Sequence, residues 1–482
     1  MLKGLEITII KRSEIFADNE EFRIDSEYYR KEYLELYKKI ENSPKLNELV
    51  YMSDLSTNGS FATVAAIKND NNPKVIPFIR SGNVGDTFIN LSELEFISKE
   101  AHENLPKSTT RLHEIMMARK GKIGGASIIM PEQVNYNCNE NVIKLDILKK
   151  DDLNPFYFTA FFNSKYGLKQ IERLSTGNVQ PWVSIFQIRK LMIPKLDYHF
   201  QLLIQTIIEK AYNANLKSVQ SYQKADDFLL EQTGINKIEL SKDPINIKTF
   251  KNSFGRTRRL DAEYYQKKYE QIIENITSQK HDKLENVAFI DKSIEPGSNH
   301  YSDEKGLPFY RVADYNKFGL SKPDKELTAS FVSDNKELIE KLKPKKGTIL
   351  FSKDGSVGTA YLLRDDLDGI TSGAILHLKV KNNKEILPEY LTLALNSKLV
   401  QMQAERDAGG SIILHWRKEE IEQVVVPIID FTKQKQIAEL VEESFKLKTK
   451  SERLLEVAKK AVEIAIETDE KTATKFIKDN EI

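Results

Sequence analysis

The sequence has only one cysteine, Cys138, in 482 residues, which excludes a framework of disulfide bonds. A single thiol is typical of proteins of the reducing cytoplasm, and we expect this chain to be cytoplasmic. Long hydrophobic runs are also missing, since none approaches the roughly 18 apolar residues of a membrane-spanning helix. Because no signal pattern opens the sequence either, we expect neither membrane insertion nor export.

An excess of charge of one sign is missing as well. The formal net charge is +1 at pH 7, although 30% of the residues are charged. This balance gives no general attraction to polyanions, so any surface that binds nucleic acid must be local. The hydrophobic fraction of 40% and the length of 482 residues suit a globular protein with two domains, each with its own core.

The sequence lacks the common patterns of chemical sites. The seven histidines show no metal-ligand spacing, and one cysteine cannot complete a familiar zinc site. Two glycine pairs lack the full phosphate-loop patterns: Gly121 with Gly124, and Gly355 with Gly358. We therefore expect no catalytic residue, no metal site and no cofactor site in this chain.

The sequence does contain a repeated long helical run. The first copy begins at Asp197, ends near Gly234 and carries Gln201 in its first turns. Apolar or small residues recur at steps of about four and three, as in a coiled coil, at Ile204, Ile208, Ala211, Ser218, Tyr222, Ala225 and Leu229. The second copy has Gln434 and then Ile437, Val441, Ser444, Ser451, Leu455, Ala458 and Val462. A constant offset of 233 residues relates Gln201 to Gln434 and Leu229 to Val462, which indicates two copies of one unit.

Other segments repeat along the chain. The paired segments are Arg23–Tyr29 with Arg259–Tyr265, Ile76–Arg80 with Leu307–Arg311, Ile115–Gly124 with Ile349–Gly358, and Ile193-Pro194 with Val426-Pro427. The third pair reads as an apolar strand that runs into a tight hairpin. Each unit is therefore predicted to contain a short helix, a mixed α/β globular domain and a long helix.

We predict an α+β fold with an internal two-fold repeat, in which two mixed α/β domains are separated by two long coiled-coil spacer helices. The expected boundaries are an N-terminal helical segment at 1–44, a first globular domain at 45–196, a first spacer helix at 197–234, a linker with the repeated helical segment at 235–280, a second globular domain at 281–429, a second spacer helix at 430–467 and a tail at 468–482. We expect the tail to be frayed.

The middle of each long helical run is polar along its seam. The residues there are Asn215, Ser218, Lys448 and Ser451. They form either a solvated face or a layer at which the two helices pair. We favour pairing, because two unpaired helices would leave two apolar seams in water. The position of the polar layer suits parallel and antiparallel pairing alike.

The segment Asn154-Pro155-Phe156-Tyr157 is similar to the Asn-Pro-Pro-Tyr signature of adenine methyltransferases. Its counterpart in the second unit, Leu387–Tyr390, lacks the amide that such a site needs to hold a flipped base. Proline at the first position of a helix explains both copies, and we interpret both as helix starts.

Two globular domains, each followed by a long helix with an Ile/Val-Pro lead-in and an early glutamine, resemble the specificity subunit of Type I restriction–modification enzymes. The resemblance implies that 45–196 and 281–429 are target recognition domains, each reading one half of a split DNA sequence. It also implies antiparallel spacer helices, and leading helical segments at Asp25–Ile40 and Asp261–Ile276 that close a pseudo-two-fold arrangement. The loops Leu174–Trp182 and Gly409–Trp416 differ in chemistry, as expected if the half-sites differ.

The resemblance further implies a non-catalytic subunit that serves phage defence. Its partners would be double-stranded DNA, two methyltransferase (M) subunits and, through them, restriction (R) subunits. S-adenosylmethionine, ATP and Mg²⁺ would bind in those partners. A helix from Ile204 to Leu229 would be roughly 40 Å long, close to the 34–36 Å (about one DNA turn) between modules on one side of a duplex. The spacer would thus set the distance between half-sites.

Loop side chains are the candidates for reading the DNA. Arginine can bind guanine in the major groove, and asparagine or glutamine can bind adenine. The candidates in the first domain are Arg80, Ser81, Asn83, Arg119, Lys120, Lys122, Asn178 and Gln180, and those in the second are Arg311, Asp314, Lys353, Ser356, His415 and Arg417. Two alternatives stay open: a stand-alone adenine DNA methyltransferase, supported only by Asn154–Tyr157, and an adaptor that bridges proteins without DNA.

Overall fold

The structure is a computed structural model that describes residues 7–17, 23–53, 72–92, 94–121, 123–177, 181–302 and 306–480. The chain divides into two compact units. Unit 1 consists of Met1–Asn215 and Thr449–Ile482, and unit 2 consists of Leu216–Lys448. Each of the two long helices therefore contributes one part to each unit.

The α-helices of the described residues are α1 (Arg12–Ala17), α2 (Lys31–Ile40), α3 (Leu46–Leu49), α4 (Lys99–Glu103), α5 (Pro155–Asn163), α6 (Lys165–Leu174), α7 (Ile185–Ile188), α8 (Tyr198–Gln232), α9 (Phe254–Thr257), α10 (Lys267–Thr277), α11 (Leu284–Val287), α12 (Ala329–Asp334), α13 (Lys336–Leu342), α14 (Pro388–Asn396), α15 (Lys398–Asp407), α16 (Lys418–Glu422), α17 (Phe431–Glu467) and α18 (Glu470–Asn480).

The strands of unit 1 are β1 (Val50–Ser53), β2 (Lys74–Ile79), β3 (Glu95–Ser98), β4 (Ile115–Ala118), β5 (Ser127–Ile128), β6 (Asn137–Cys138) and β7 (Val142–Ile147). Those of unit 2 are β8 (His281–Lys283), β9 (Ala288–Lys292), β10 (Tyr301–Ser302), β11 (Leu307–Tyr310), β12 (Tyr315–Asn316), β13 (Gly319–Leu320), β14 (Lys325–Leu327), β15 (Ile349–Ser352), β16 (Ala360–Leu362), β17 (Ile370–Thr371), β18 (Ile375–Val380) and β19 (Val425–Pro427). The fold is thus a mixture of helices and sheets.

Unit 1 is built on an antiparallel sheet in the order β1-β7-β4-β5, beside a three-stranded sheet in the order β3-β2-β6. All four residues of β4 are buried. Ile115 and Met117 belong to the large core that contains the helices, whereas Met116 and Ala118 belong to a second core with Ile79 of β2. Side chains along a strand alternate between the two faces of the sheet, so these two cores cover both faces of β4. This explains why every residue of β4 is apolar.

Unit 2 repeats the strand order of the antiparallel sheet with its own strands. Its antiparallel sheet runs β16-β15-β18-β9, and its second sheet runs β10-β14-β11-β17. In each unit an inner strand of the second sheet has a parallel partner, β6 on β2 and β17 on β11. Two short pairs, β12-β13 and β19-β8, complete unit 2.

Helices α5 and α14 begin with a proline at the first helical turn, as expected from the sequence. The Asn154 side chain caps α5 by accepting hydrogen bonds from the N–H groups of Phe156 and Tyr157. The helix-start interpretation of both segments is therefore confirmed, because the proline N–H is not needed at such a position.

In unit 1, the first part of α8 packs antiparallel to the last part of α17. The Ser451 hydroxyl donates to the carbonyl oxygen of Ala211 at 2.7 Å, and the N–H of Asp197 donates to Glu470 at 2.7 Å. The helix α18 follows and buries Ala473 and Ile477. The expectation of a frayed tail is therefore wrong for Glu470–Asn480, because two apolar residues four positions apart dock on the unit 1 core.

In unit 2 the remaining parts of the two long helices also pack antiparallel to each other. The Ser218 hydroxyl donates to the carbonyl oxygen of Ser444 at 2.7 Å, and Lys433 bonds to Gln232. The polar seam serines thus bond across the helix pair. Lys448 instead donates to the carbonyl oxygen of Phe318 at 2.9 Å.

Candidate nucleic-acid interface

A short loop projects from unit 2 between α15 and α16, and we call Gly410–Leu414 the unit 2 finger. Its base is closed by Gly409 and His415, each of which donates its N–H to the carbonyl oxygen of the other, at 3.0 and 2.7 Å. Gly410 has φ +136°, and a Cβ there would lie 2.1 Å from the carbonyl oxygen of Ile413. Only glycine fits this turn, which makes the loop compact.

The unit 2 finger is joined to the hairpin tip between β15 and β16. The N–H of Gly355 donates to the carbonyl oxygen of Leu414 at 2.9 Å, and the N–H of Trp416 donates to that of Lys353 at 2.7 Å. The Trp416 ring is only 1% exposed and lies 5.8 Å from the Phe351 ring. Main-chain bonds and a buried indole therefore hold the finger and hairpin tip as one body.

A third loop, the turn Val312–Asp314 after β11, adjoins the hairpin tip. The Val312 side chain lies 4.0 Å from the position that a Cβ of Gly355 would occupy. Asp314 is buried, and its carboxylate accepts the N–H of Arg311 at 2.7 Å. The structure thus brings the three loops chosen from the sequence together in unit 2.

Charges at the unit 2 tip are largely compensated. Asp354 accepts from Lys353 Nζ at 2.5 Å and lies 2.9 Å from His415 Nδ1. Arg417 forms an ion pair with Glu420. Arg311 has acidic neighbours at 3.8 Å in Asp314 and Asp324. Ser356 is exposed at the hairpin tip.

Unit 1 contains the same main-chain network. Thr176 and Trp182 exchange hydrogen bonds of 3.1 and 2.9 Å, as Gly409 and His415 do. The N–H of Gly121 donates to the carbonyl oxygen of Pro181 at 3.1 Å, and the N–H of Val183 donates to that of Arg119 at 2.9 Å. The segment between Thr176 and Trp182 thus has the same closure as the unit 2 finger. Three of the predicted DNA-binding residues lie outside the described residues: Lys122, Asn178 and Gln180.

The hairpin tip of unit 1 is basic, whereas the cations at the hairpin tip of unit 2 are paired with acidic residues. Arg119 is half-buried and Lys120 is exposed. Within the described part of the chain, neither side chain has an acidic partner. An arginine without a carboxylate partner keeps its donors available for a guanine edge or a phosphate.

The turn Ser81–Asn83 of unit 1 packs against β4. Asn83 is buried there, and its oxygen accepts the N–H of Arg80 at 2.9 Å while its amide donates to the carbonyl oxygen of Asn90 at 2.9 Å. Arg80 pairs with Glu95 at 2.8 Å. Asn83 and Asp314 therefore cap their own turns, and Ser81 and Arg80 are the partly exposed members of this set.

The apolar tip of the unit 2 finger was missed in the sequence. Ile412 is 95% exposed, Ile413 55% and Leu414 42%. The DNA-reading candidates from the sequence are all polar or charged, and these three aliphatic residues are not among them. A run of three large aliphatic residues between Gly410 and the His415-Trp416 pair was the available signal, because such runs are normally buried.

The described residues contain no group of three or more His, Cys, Asp or Glu side chains placed to hold a metal ion. None of the helices in the described ranges combines the length and the apolarity needed to cross a bilayer.

The sequence of unit 2 matches a known protein family over most of its length. Residues 250–458 match the family model described as the Type I restriction modification DNA specificity domain. This part of the chain is therefore similar to Type I restriction–modification DNA specificity domains. The unit 2 finger, the hairpin tip and the turn Val312–Asp314 all lie inside the matched residues.

Solved structures similar to the chain include S subunits. The Type I restriction–modification system S subunit from M. genitalium is 13% identical, with 90% of this chain and 95% of that chain covered and a TM-score of 0.39. The HsdS subunit from Thermoanaerobacter tengcongensis is 13% identical, with 88% and 96% covered and a TM-score of 0.27. A chain from a study of complex assembly and conformational transition of the type I R-M system is 12% identical, with 89% and 99% covered and a TM-score of 0.27. No curated protein sequence matches the chain.

Proposed function

We propose that this chain is the non-catalytic DNA sequence-recognition subunit of a Type I restriction–modification complex. It binds a bipartite DNA target in the cytoplasm and docks two methyltransferase subunits, which in turn carry restriction subunits. S-adenosylmethionine, ATP and Mg²⁺ act in those partners. The family match of residues 250–458 supports the recognition of DNA by unit 2.

The observation that carries the proposal is the recurrence of one loop framework in both units with different side chains. The finger base and the hairpin tip are linked by equivalent main-chain hydrogen bonds at Gly121 and Gly355 and at Val183 and Trp416. The side chains they carry differ, since Arg119 and Lys120 are basic whereas Lys353 is paired with Asp354. This is the arrangement expected of two readers of unlike half-sites.

The shared internal contacts of the units support an internal repeat of two target recognition domains. Gln201 accepts the N–H of Asn154 at 2.8 Å, and Gln434 accepts the N–H of Leu387 at 3.0 Å. The antiparallel contacts of α8 and α17 in each unit support a helical spacer. We propose that this spacer sets the length of DNA between the two half-sites.

The two alternatives, a stand-alone adenine methyltransferase and a protein adaptor, explain these observations less well than a DNA-recognition subunit does. In a stand-alone adenine methyltransferase, Asn154 would have to reach a flipped base, yet it is 3% exposed and its amide donates to Gln205 at 2.6 Å. A protein adaptor without DNA would not need a basic hairpin tip at which Arg119 has no acidic partner among the described residues.

The test is methylome sequencing of a host with and without this chain, co-expressed with its neighbouring methyltransferase. We expect N6-methyladenine at one split motif only when the chain is present. The same motif in both strains, or no motif in either, would contradict the proposal. Duplex binding by the purified complex that weakens steeply with salt separates a DNA reader from an adaptor, because neutralised phosphates release counterions.

A further inference from the structure

The exposed apolar tip of the unit 2 finger calls for an explanation in terms of a ligand. Ile412 and Ile413 project into solvent, although aliphatic side chains of this size are among the residues most often buried. Their backbone is fixed by the Gly409–His415 pair and by the bond from Gly355 to Leu414. The tip is therefore presented by a rigid mount, which reduces the entropy lost when it binds.

The charges around the finger do not suit a phosphate contact. Asp354 compensates Lys353, and Glu420 compensates Arg417. A phosphate at this point would have to displace a carboxylate from each cation. An apolar patch on a surface with compensated charge fits an uncharged apolar group instead, and in DNA the exposed one is the 5-methyl group of thymine.

The combined width of the finger base and the adjoining hairpin tip selects the groove. The backbone at Gly409, His415 and Asp354 lies side by side through antiparallel bridges. Neighbouring backbones in such pairs are about 4.8 Å apart, so the three span about 10 Å. The minor groove of B-DNA, about 6 Å wide, excludes a body of this width, whereas the major groove, about 12 Å wide, admits it. Thymine methyl groups line the major groove.

We propose that Ile412 and Ile413 read thymine in the half-site of unit 2 by packing against its 5-methyl group in the major groove. The inference rests on the proposed function, because it assumes that unit 2 reads DNA. It adds the chemical class of the contact and the residues that make it. The basic hairpin tip of unit 1, with Arg119, would read its own half-site by hydrogen bonds.

The experiment uses the complex of the full chain with its methyltransferase and a duplex that carries the motif found by methylome sequencing. Each thymine of the motif is replaced in turn by uracil, which removes only the methyl group. We expect uracil at one or two positions in one half-site to weaken binding about fourfold for each methyl group removed. This is the change in affinity expected when one buried aliphatic carbon is lost. Uracil in the other half-site should have a smaller effect.

The double variant Ile412→Ala/Ile413→Ala should lose the preference for thymine at those positions and bind both duplexes alike. The matched control is Leu338→Ala on α13, which removes an exposed aliphatic side chain elsewhere in unit 2. It should keep the full thymine preference. A variant with Asn-Val-Gln, the residues 178–180, at positions 411–413 tests whether the preference follows the tip sequence.

Equal binding of thymine and uracil duplexes by the wild-type complex would overturn the inference while leaving DNA recognition intact. A thymine preference that survives in the double variant would overturn it too, as would loss of the methyltransferase from that variant. Absence of any specific duplex binding by the wild type would instead contradict the proposed function. The wild-type comparison decides the question even if a variant fails to fold.

Discussion

The hydroxyl group of Tyr390 donates a 2.7 Å hydrogen bond to the carbonyl oxygen of Pro427, and both residues are buried. The same bond joins Tyr157 to Pro194 in unit 1, also at 2.7 Å. Each tyrosine lies in the first turn of a buried helix, and each proline lies four residues before the first residue of a long helix. The bond therefore ties the entry of the long helix to the core of its unit, which explains why Ile/Val-Pro and Tyr recur together.

We predict that Tyr390→Phe destabilises unit 2 by about 1–3 kcal/mol, because the Pro427 carbonyl would lose its buried donor. Denaturant unfolding measures this change. Tyr51→Phe removes a hydroxyl from an exposed ring and should stay within about 0.5 kcal/mol of the wild type. An equal effect of the two substitutions would show that the bond to Pro427 contributes nothing.

We expect Ser451→Ala to be less stable than Thr449→Ala by about 1 kcal/mol. Both substitutions place alanine in α17 and gain a similar helix propensity. Only Ser451 bonds across the helix pair, to the carbonyl oxygen of Ala211, whereas Thr449 is exposed. Thermal unfolding of the two variants side by side isolates the contribution of that bond, and identical midpoints would argue against it.

The buried His377 predicts a loss of stability in mild acid. Burial lowers the pKa of its imidazole from 6.5 to about 4, and its Nε2 lies 2.8 Å from the Thr371 hydroxyl. The unfolded chain binds a proton on this side chain below pH 6.5 and the folded protein does not, so stability falls as pH decreases from 6.5 toward 4. At full effect the loss is about 3 kcal/mol, from about 1.4 kcal/mol per pKa unit.

The measurement for His377 is the free energy of unfolding between about pH 7.5 and about pH 4.5, a range of about three units that includes the ordinary pKa of histidine. In His377→Gln this part of the pH dependence should disappear. The exposed His281, replaced in the same way, should leave the wild-type dependence unchanged. A wild-type slope in the His377 variant would refute the assignment.

Arg119→Ala should weaken duplex binding by the complex and reduce the slope of log affinity against log salt by about one if Arg119 contacts a phosphate. If it binds a guanine edge instead, the loss is about 1–3 kcal/mol and is confined to the specific site. The control is Lys149→Ala. Lys149 follows the far end of β7, whose other end lies beside β4 and Arg119. An Arg119 variant that binds like this control would remove it from the interface.

Insertion of seven residues into either long helix should change the spacer length of the methylated motif or abolish binding, because seven residues add about 10 Å of helix and keep the seam in phase. Methylome sequencing reads the new spacing directly. Seven residues inserted instead in the exposed turn at Asn382-Asn383 should leave it unchanged. An unaltered motif after the helix insertion would contradict the proposal that the helices set the spacing.

Much of the fold follows from the sequence because its signals are local. Proline before a buried apolar run marks the start of α5 and of α14, and the alternation of strand faces accounts for the buried strands β4 and β15. The pairing direction of the long helices does not follow, because the serines at 218, 444 and 451 suit either direction. The direction is set by contacts between residues far apart in the sequence, such as the hydrogen bond from Ser451 to Ala211.

The candidate site was harder to predict for a physical reason. Polar residues in a loop serve either the ligand or the loop itself, and the sequence does not separate the two uses. Asn83 and Asp314 turn out to cap their own turns. Ile412 shows the opposite case, in which an aliphatic residue, a type that is normally buried, is almost fully exposed.

The link between finger and hairpin tip is made by main-chain atoms, at Gly355 with Leu414 and at Lys353 with Trp416. Since peptide groups are common to all residues except for the N–H of proline, the mount does not depend on which side chains it displays. Tip residues such as Ser356, Ile412 and Ile413 are therefore free to mutate without a compensating change in the framework. On the proposed function, a few substitutions at the tip would be enough to change the DNA preference, and the rest of the chain would not need to adapt.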